Sequence, residues 1–154
     1  MAAKIIEEKE VTREDREQMA ELVKLYLTGE LETMIEFEAL KAESEPATGG
    51  TDYSSCTGGS GGQGVNVIEQ FDNNRRRALW KKNRLIRIKK MMRLAFRMIN
   101  GEGKKILELF YIDECSILII AGKIGHSERT VKRKKRNTLD QLCIHIDLGR
   151  CKII

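Results

Sequence analysis

Four cationic side chains recur three or four residues apart near the end of the chain: Arg129, Lys132, Arg133 and Arg136. Side chains at this spacing lie along one side of an α-helix, because a helix turns by about 100° per residue. Val131 falls opposite the three arginines, and Lys132 lies on the flank. Arginine and lysine bind phosphate oxygens, and arginine can also donate two parallel hydrogen bonds to the edge of guanine. The chemistry that these residues indicate is the binding of a nucleic acid.

A serine-capped helix would present these four cations. Ser127 precedes them, and serine is a preferred N-cap because its hydroxyl accepts a backbone N–H bond. Two helices that cross steeply need a small residue at the contact, a turn glycine and an inward β-branched residue, and Ala121, Gly125 and Val131 meet these needs. The pattern predicts a helix-turn-helix. Its predicted core residues are Ile120, Ala121, Ile124, Gly125, Val131 and Leu139.

The second helix of this pair, residues 127–142, is the predicted recognition helix. A helix that is apolar inside and rich in guanidinium groups outside, with a partial positive charge at its N-terminus, fits the major groove of double-stranded DNA. The alternative is an ordinary helical hairpin with a solvated basic face. Lys134 and Lys135 lie nearer the apolar side, so we expect their stems to cover apolar surface while their ammonium groups reach water.

The whole chain is predicted to be all-α, since its 154 residues include one proline and many Leu, Ile, Lys, Glu and Arg residues. Three segments are expected: an acidic helical arm at 1–44, a flexible Gly/Ser-rich linker at 45–66, and a DNA-binding domain at 67–154. The net charge is +5, yet residues 1–46 carry 13 acidic and 6 basic side chains. This asymmetry favours a polyanion bound by the C-terminal two-thirds of the chain.

The acidic arm has the signature of an amphipathic helix. Thr12 and Asp15 have the spacing of a capping box, and the apolar stripe that follows is interrupted at Thr28-Gly29 before it resumes. A helix of this kind cannot bury its apolar face alone. We expect the arm to pack within the protein or in a homo-oligomer, with RNA polymerase as the other candidate partner.

The linker contains seven glycines between Gly49 and Gly64. This composition leaves too little apolar surface to offset the entropy of ordering, which predicts flexibility. A phosphate-binding loop is the functional alternative for a glycine cluster. However, no Lys-Ser/Thr follows this cluster and no strand is expected before it.

A long basic helix is predicted after Asn73-Asn74, within a stretch at 65–100 that has 11 basic and two acidic residues. Apolar residues recur at steps of three and four, which indicates packing on the helix-turn-helix or a coiled-coil dimer contact through residues 84–99. This seam comprises Leu85, Ile88, Met92, Ala95 and Ile99. Cations off the seam could contact the DNA backbone; they are Arg84, Arg87, Lys90, Arg93 and Arg97. Gly101 and Gly103 should break this helix before a short support helix that ends near Asp113.

The chain offers no plausible nucleophile–base pair, so we predict that it is not an enzyme and needs no cofactor. Cys143, His145 and Cys151 with His126 match no common zinc spacing, and no metal site is predicted. The four cysteines are expected to be reduced thiols. The N-terminal sequence has no apolar signal core and no run is long enough to span a bilayer, which predicts a cytoplasmic protein without membrane contact.

The C-terminal motif resembles region 4 of bacterial sigma factors, in which S-x-x-x-IA-x-x-IG-x-S-x-x-TV leads into a basic helix. The matching residues are Ser116, Ile120, Ala121, Ile124, Gly125, Ser127, Thr130 and Val131. The layout of the whole chain is similar to small phage and prophage transcriptional regulators of the RinA and ArpU type, which control late genes.

The resemblance implies a sequence-specific regulator that binds double-stranded DNA and activates phage or prophage genes in a bacterial host cell. The base contacts that it implies are Ser127, Glu128, Arg129, Lys132 and Arg133. Thr130 would lie near the DNA backbone, and the charge of Arg136 favours a further backbone contact. Two alternatives stay open. One is a small-terminase-like DNA-recognition subunit of phage packaging, and the other is a sigma-like adaptor whose acidic arm binds RNA polymerase.

Overall fold

The computed structural model describes residues 10–44 and 63–148, which contain six α-helices and no β-strand. The helices are α1 (Arg13–Leu27), α2 (Glu30–Glu43), α3 (Gln63–Met98), α4 (Gly101–Tyr111), α5 (Ile117–Ile124) and α6 (Glu128–His145). The all-α prediction is thereby confirmed for the described residues. None of the helices in this part of the chain is both long and apolar enough to cross a membrane.

The chain divides into two compact units. The split unit combines residues 1–31 with residues 88–154, and the middle unit consists of residues 32–87. The predicted arm at 1–44 is therefore divided, because α1 belongs to the split unit and all of α2 beyond Leu31 belongs to the middle unit. The split unit contains the C-terminal helices with the cations described above.

The first helix begins with the predicted capping box and packs within its own unit. The Thr12 hydroxyl accepts the Asp15 N–H at 3.2 Å, and the Asp15 carboxylate accepts the Thr12 N–H at 3.0 Å. Met19, Leu22 and Val23 are buried, and α1 packs on α4 and α6. An ion pair between Arg16 and Asp140 of α6 joins the two helices. The apolar stripe of α1 is thus covered inside the protein.

The long basic helix begins earlier than predicted. It starts at Gln63, within the range predicted as linker, and runs through Asn73-Asn74 without a break. The reason is energetic: asparagine costs less than about 0.7 kcal/mol relative to alanine in a helix, which is too little to stop propagation of an established helix. The rest of the predicted linker, 45–62, lies outside the described residues.

The apolar seam of α3 is buried within a single chain. Ile88, Met92, Ala95 and Ile99, which belong to the split unit, are buried, and so is Leu85, which belongs to the middle unit. The ring of Phe96, beside this seam, lies 5.2 Å from the ring of Tyr26 of α1. Packing within the protein therefore accounts for the burial of the seam.

The helix α4 also begins earlier than predicted, at Gly101 rather than after Gly103. The Asn100 side chain caps it by accepting the Glu102 N–H at 3.2 Å. Gly103 is buried inside the first turn, where a Cβ atom would clash with the Thr138 hydroxyl of α6. Gly103 is therefore not the helix breaker that its residue type predicts, and its missing side chain permits the close approach of α4 and α6.

Candidate nucleic-acid interface

The helices α5 and α6 are joined by a tight turn. The Ser116 hydroxyl caps α5 by accepting the Ile119 N–H at 3.4 Å. The helix ends at Gly125, whose φ of 76° is in the left-handed region that favours glycine. The N–H groups of Gly125 and His126 both donate to the Ala121 carbonyl, at 3.0 and 3.1 Å. These hydrogen bonds give two N–H donors to a carbonyl group in the last turn of α5. The chain then reaches Ser127, the residue before α6, two residues after Gly125.

Ser127 is the N-cap of α6, as predicted. Its hydroxyl oxygen accepts the Thr130 N–H at 3.3 Å and lies 2.9 Å from the Thr130 hydroxyl. Thr130 is half-buried by this arrangement. The cap fixes the point at which α6 starts and therefore which of its residues face outward.

The inner side of α6 is held by a small apolar core. Val131 has no exposed surface, and it forms a cluster with Ile106 of α4 and with Ile120 and Ala121 of α5. Ile124 is half-buried against the cluster. Further along α6, Leu139 and Leu142 are buried as well. The core fixes the rotation of α6 about its own axis.

The outer side of α6 is cationic and open to solvent. The side chains of Arg129, Lys132, Arg133 and Arg136 are exposed, as are those of Ser127 and Glu128. None of the four cations forms an ion pair with a carboxylate in residues 10–44 or 63–148. These four residues are named the outer cations of α6. They are available to an anionic partner without loss of an existing contact.

A three-residue polar cluster joins the turn to the rest of the unit. The carboxylate of Glu102 on α4 accepts hydrogen bonds from His126 Nε2 and from Lys134 Nζ, both at 2.6 Å. Hydrogen bonding from Lys134, and then from His126, lowers the pKa of the Glu102 carboxyl. Lys134 therefore binds a carboxylate instead of extending its ammonium group to water as predicted. No local sequence signal could have paired residues 24 and 32 positions apart.

Lys135 also departs from the prediction. Its ammonium nitrogen lies 3.2 Å from the centre of the Phe110 ring and 5.4 Å from the centre of the Tyr111 ring. Burial lowers the pKa of this lysine. The stem covers apolar surface as expected, but the charge faces aromatic rings because α4 supplies them directly beneath this part of α6.

The predicted backbone contacts on α3 occupy both units. Arg84 and Arg87 lie in the middle unit, and Lys90, Arg93 and Arg97 lie in the split unit. All are exposed except Arg84, which is half-buried, with its guanidinium carbon 5.2 Å from the centre of the Trp80 ring. The three residues of the split unit recur at steps of three and four, so they share one side of α3.

The described residues contain no group of three or more His, Cys, Asp or Glu side chains that could hold a metal ion. Cys115 is a free thiol, and Cys56 and Cys151 lie outside the described residues. The Cys143 thiol is buried and donates to the Asp15 carbonyl at 3.5 Å. Cys143 lies where α6 packs on α1, and this packing accounts for its burial.

Comparisons with protein-family models, with curated proteins and with solved structures gave no match. What the chain binds must therefore be inferred from the chemistry of its own surface.

Proposed function

We propose that this chain is a sequence-specific, double-stranded DNA-binding regulator of transcription. In this proposal α5 and α6 form a helix-turn-helix, and α6 lies in the major groove. The observation that carries the proposal is the division of α6 into two sides: Val131 is fully buried, while the outer cations are exposed and bind no described carboxylate. A helix held by its apolar side and cationic on its free side is suited to a groove lined with phosphates.

Specificity would come from the first turns of α6. Arg129 and Arg133 are four residues apart, and each can donate two hydrogen bonds to guanine O6 and N7, a contact typically worth about 1 to 3 kcal/mol of discrimination. Ser127, Glu128 and Lys132 would contact neighbouring base edges, with the Glu128 carboxylate as an acceptor for the amino group of cytosine. The fixed rotation of α6 supports this assignment, because base recognition needs side chains held at defined positions.

Affinity would come mainly from phosphate contacts, which release counterions and therefore weaken as salt increases. Arg136 and Thr130 are the candidates on α6. Arg84, Arg87, Lys90, Arg93 and Arg97 are the candidates on α3. The exposed side of α3 supports a role in binding without sequence preference, since a row of cations carries no information about bases.

The motif resemblance extends the proposal to a class of regulators. Ser116, Ile120, Ala121, Ile124, Gly125, Ser127, Thr130 and Val131 match sigma region 4, and a regulator of the RinA and ArpU type would activate late genes of a phage or prophage. Regulation of transcription is preferred to an adaptor role because α1, the start of the acidic arm, is already covered by α4 and α6.

The test is selection of bound sequences from a random duplex pool, followed by affinity measurements on the selected site and on scrambled DNA. Arg133→Ala should weaken binding to the selected site by roughly 10- to 100-fold and binding to scrambled DNA far less. Arg13→Ala is the matched control, because Arg13 is exposed on α1 and already paired with Glu17 at 2.9 Å. Failure to select any site, or an equal loss on both DNAs, would contradict sequence-specific recognition.

A further inference from the structure

An apolar groove with a cationic rim runs along α6 on the side that faces α1 and α5. It has a volume of about 410 Å³, within the range of about 300 to 1,000 Å³ that is usual for binding pockets. Phe110, Ile117 and Leu139 form its apolar part, and Arg16, Lys132, Lys135 and Arg136 supply four positive charges. Arg16 is already paired with Asp140, and the ammonium group of Lys135 faces the Phe110 ring. Lys132 and Arg136 are therefore the two cations of the rim that are left for a partner.

A partner for this groove needs apolar side chains flanked by carboxylates. A nucleic acid backbone supplies the negative charge but no side chain for the apolar part. An acidic amphipathic helix supplies both, because residues three or four apart on its surface fall on one side. The groove chemistry therefore favours a helix over a phosphate.

The helix α2 of this chain has the required composition. It contains five glutamates and one lysine. Its Phe37 and Leu40 are 59% and 65% exposed, and they lie three residues apart on the helix. Glu36 lies beside Phe37 and four residues before Leu40, so these three share one exposed side.

We infer that the groove of one copy binds the Glu36, Phe37 and Leu40 side of α2 from a second copy. Glu36 is exposed and opposite in charge to the exposed Lys132 and Arg136 of the rim. Lys41 lies over the Phe37 ring, but its charge is already paired with Glu38. Reciprocal contacts between two copies would close a dimer, which is the commonest arrangement of self-associating proteins. Because the contact is small, the dimer is a weak one that forms at high protein concentration and dissociates as salt increases.

This contact would also regulate DNA binding, a consequence that rests on the proposed function. Lys132 and Arg136 belong to the groove rim and to the outer cations of α6. One carboxylate-bearing helix and one DNA duplex cannot occupy them together. DNA and the second copy would therefore compete, so that each lowers the affinity of the other by the same factor.

A charge exchange tests the contact without DNA. Sedimentation equilibrium at low salt should show concentration-dependent dimers for the wild-type chain. Glu36→Lys or Lys132→Glu should each weaken dimerisation by at least about tenfold. Mixing the two variants should restore dimers, because each variant then meets a partner of opposite charge. Glu69→Lys and Lys105→Glu make the same charge changes at exposed positions outside both surfaces, and they should leave dimerisation unchanged.

Circular dichroism will first establish that both variants fold. Whether dimers form when the two variants are mixed then decides whether the proposed contact exists. A wild-type chain that stays monomeric, or a mixture that stays monomeric, overturns the proposal. If dimers form and exchange as expected but DNA does not dissociate them, the competition is wrong while the contact stands. If no DNA site is selected and the dimers still form, the proposed function fails and the contact again stands.

Discussion

The helix α6 carries two sets of cations that differ in what surrounds them. The outer cations are exposed and pair with no described carboxylate. The inner lysines, Lys134 and Lys135, follow directly in the sequence, yet Lys134 binds Glu102 and Lys135 faces the Phe110 ring. Cationic side chains that are neighbours in the sequence can therefore have different surroundings. Successive residues of a helix are rotated by about 100°, so some lie on the solvent side and others on the packed side.

The density of charged residues along a sequence therefore overstates the charge that is available to a partner. Arg133, Lys134, Lys135 and Arg136 are consecutive, and only the first and last of them are exposed. The inner pair instead helps to fix α6 on α4. The following four variants test the packing of α6 on α4 and then the two sets of cations, in order of decreasing expected effect on stability.

The largest effect on stability is expected from a substitution where α4 approaches the inner side of α6. Gly103→Ala should lower the free energy of unfolding by roughly 1 to 2 kcal/mol, because overpacking against Thr138 outweighs the better helix propensity of alanine. Gly122→Ala is the matched control, since no atom lies within 4 Å of its added Cβ. That control should raise stability by about 0.5 to 1 kcal/mol. Urea unfolding measures both, and equal shifts would show that the close approach is unimportant.

A smaller effect is expected from Glu102→Gln, and it should depend on pH. The pKa of the Glu102 carboxyl is lowered from its ordinary value of 4.5 by Lys134 and His126. The ionised Glu102 carboxylate therefore stabilises the folded state fully above pH 4.5. This stabilisation is lost as the pH falls through the lower pKa that the carboxyl has in the folded state. The variant should be less stable than the wild type at neutral pH, and the difference should shrink below pH 4.5. A difference that stays constant with pH would contradict the role of this charge.

The smallest effect on stability is expected from Lys135→Met. The substitution loses a cation–π contact worth about 0.5 to 1 kcal/mol, and it relieves the burial of a charge that lowers the lysine pKa. The two changes oppose each other, so stability should change by less than about 1 kcal/mol.

A methionine at Arg136, one of the outer cations, tests the difference between the two sets. If the proposed function holds, methionine at the phosphate-contact candidate of the outer cations, Arg136→Met, should reduce the salt dependence of DNA binding by about one counterion, whereas Lys135→Met should reduce it far less. Titration of duplex DNA at several salt concentrations measures this. Equal slopes for the two variants would remove the distinction between inner and outer cations.

Several features of the chain were predictable because they depend on residues close together in sequence. The capping box at Thr12 and Asp15 and the cap at Ser127 each need only a hydroxyl and a backbone N–H three residues later. The left-handed turn needs only the glycine at position 125. The all-α class follows from composition in the same way.

Other features were missed because they depend on helices that meet across long separations. The start of α3 at Gln63 and the role of Gly103 inside α4 were both predicted wrongly, since asparagine pairs and glycines do not by themselves say where a helix stops. The binding of Lys134 by Glu102 had no sequence signal at all. The DNA-binding role of the outer cations stays a prediction.

The sequence by itself determined the helical class, the caps at Thr12 and Ser127 and the alternation of apolar and charged residues along α6, since hydrogen bonds and side-chain periodicity within a helix are local. Tertiary structure alone decided which cations remain available. That choice depends on where α4 places its carboxylate and aromatic rings relative to α6. A charge is left for a partner only when no group from another helix is close enough to bind it.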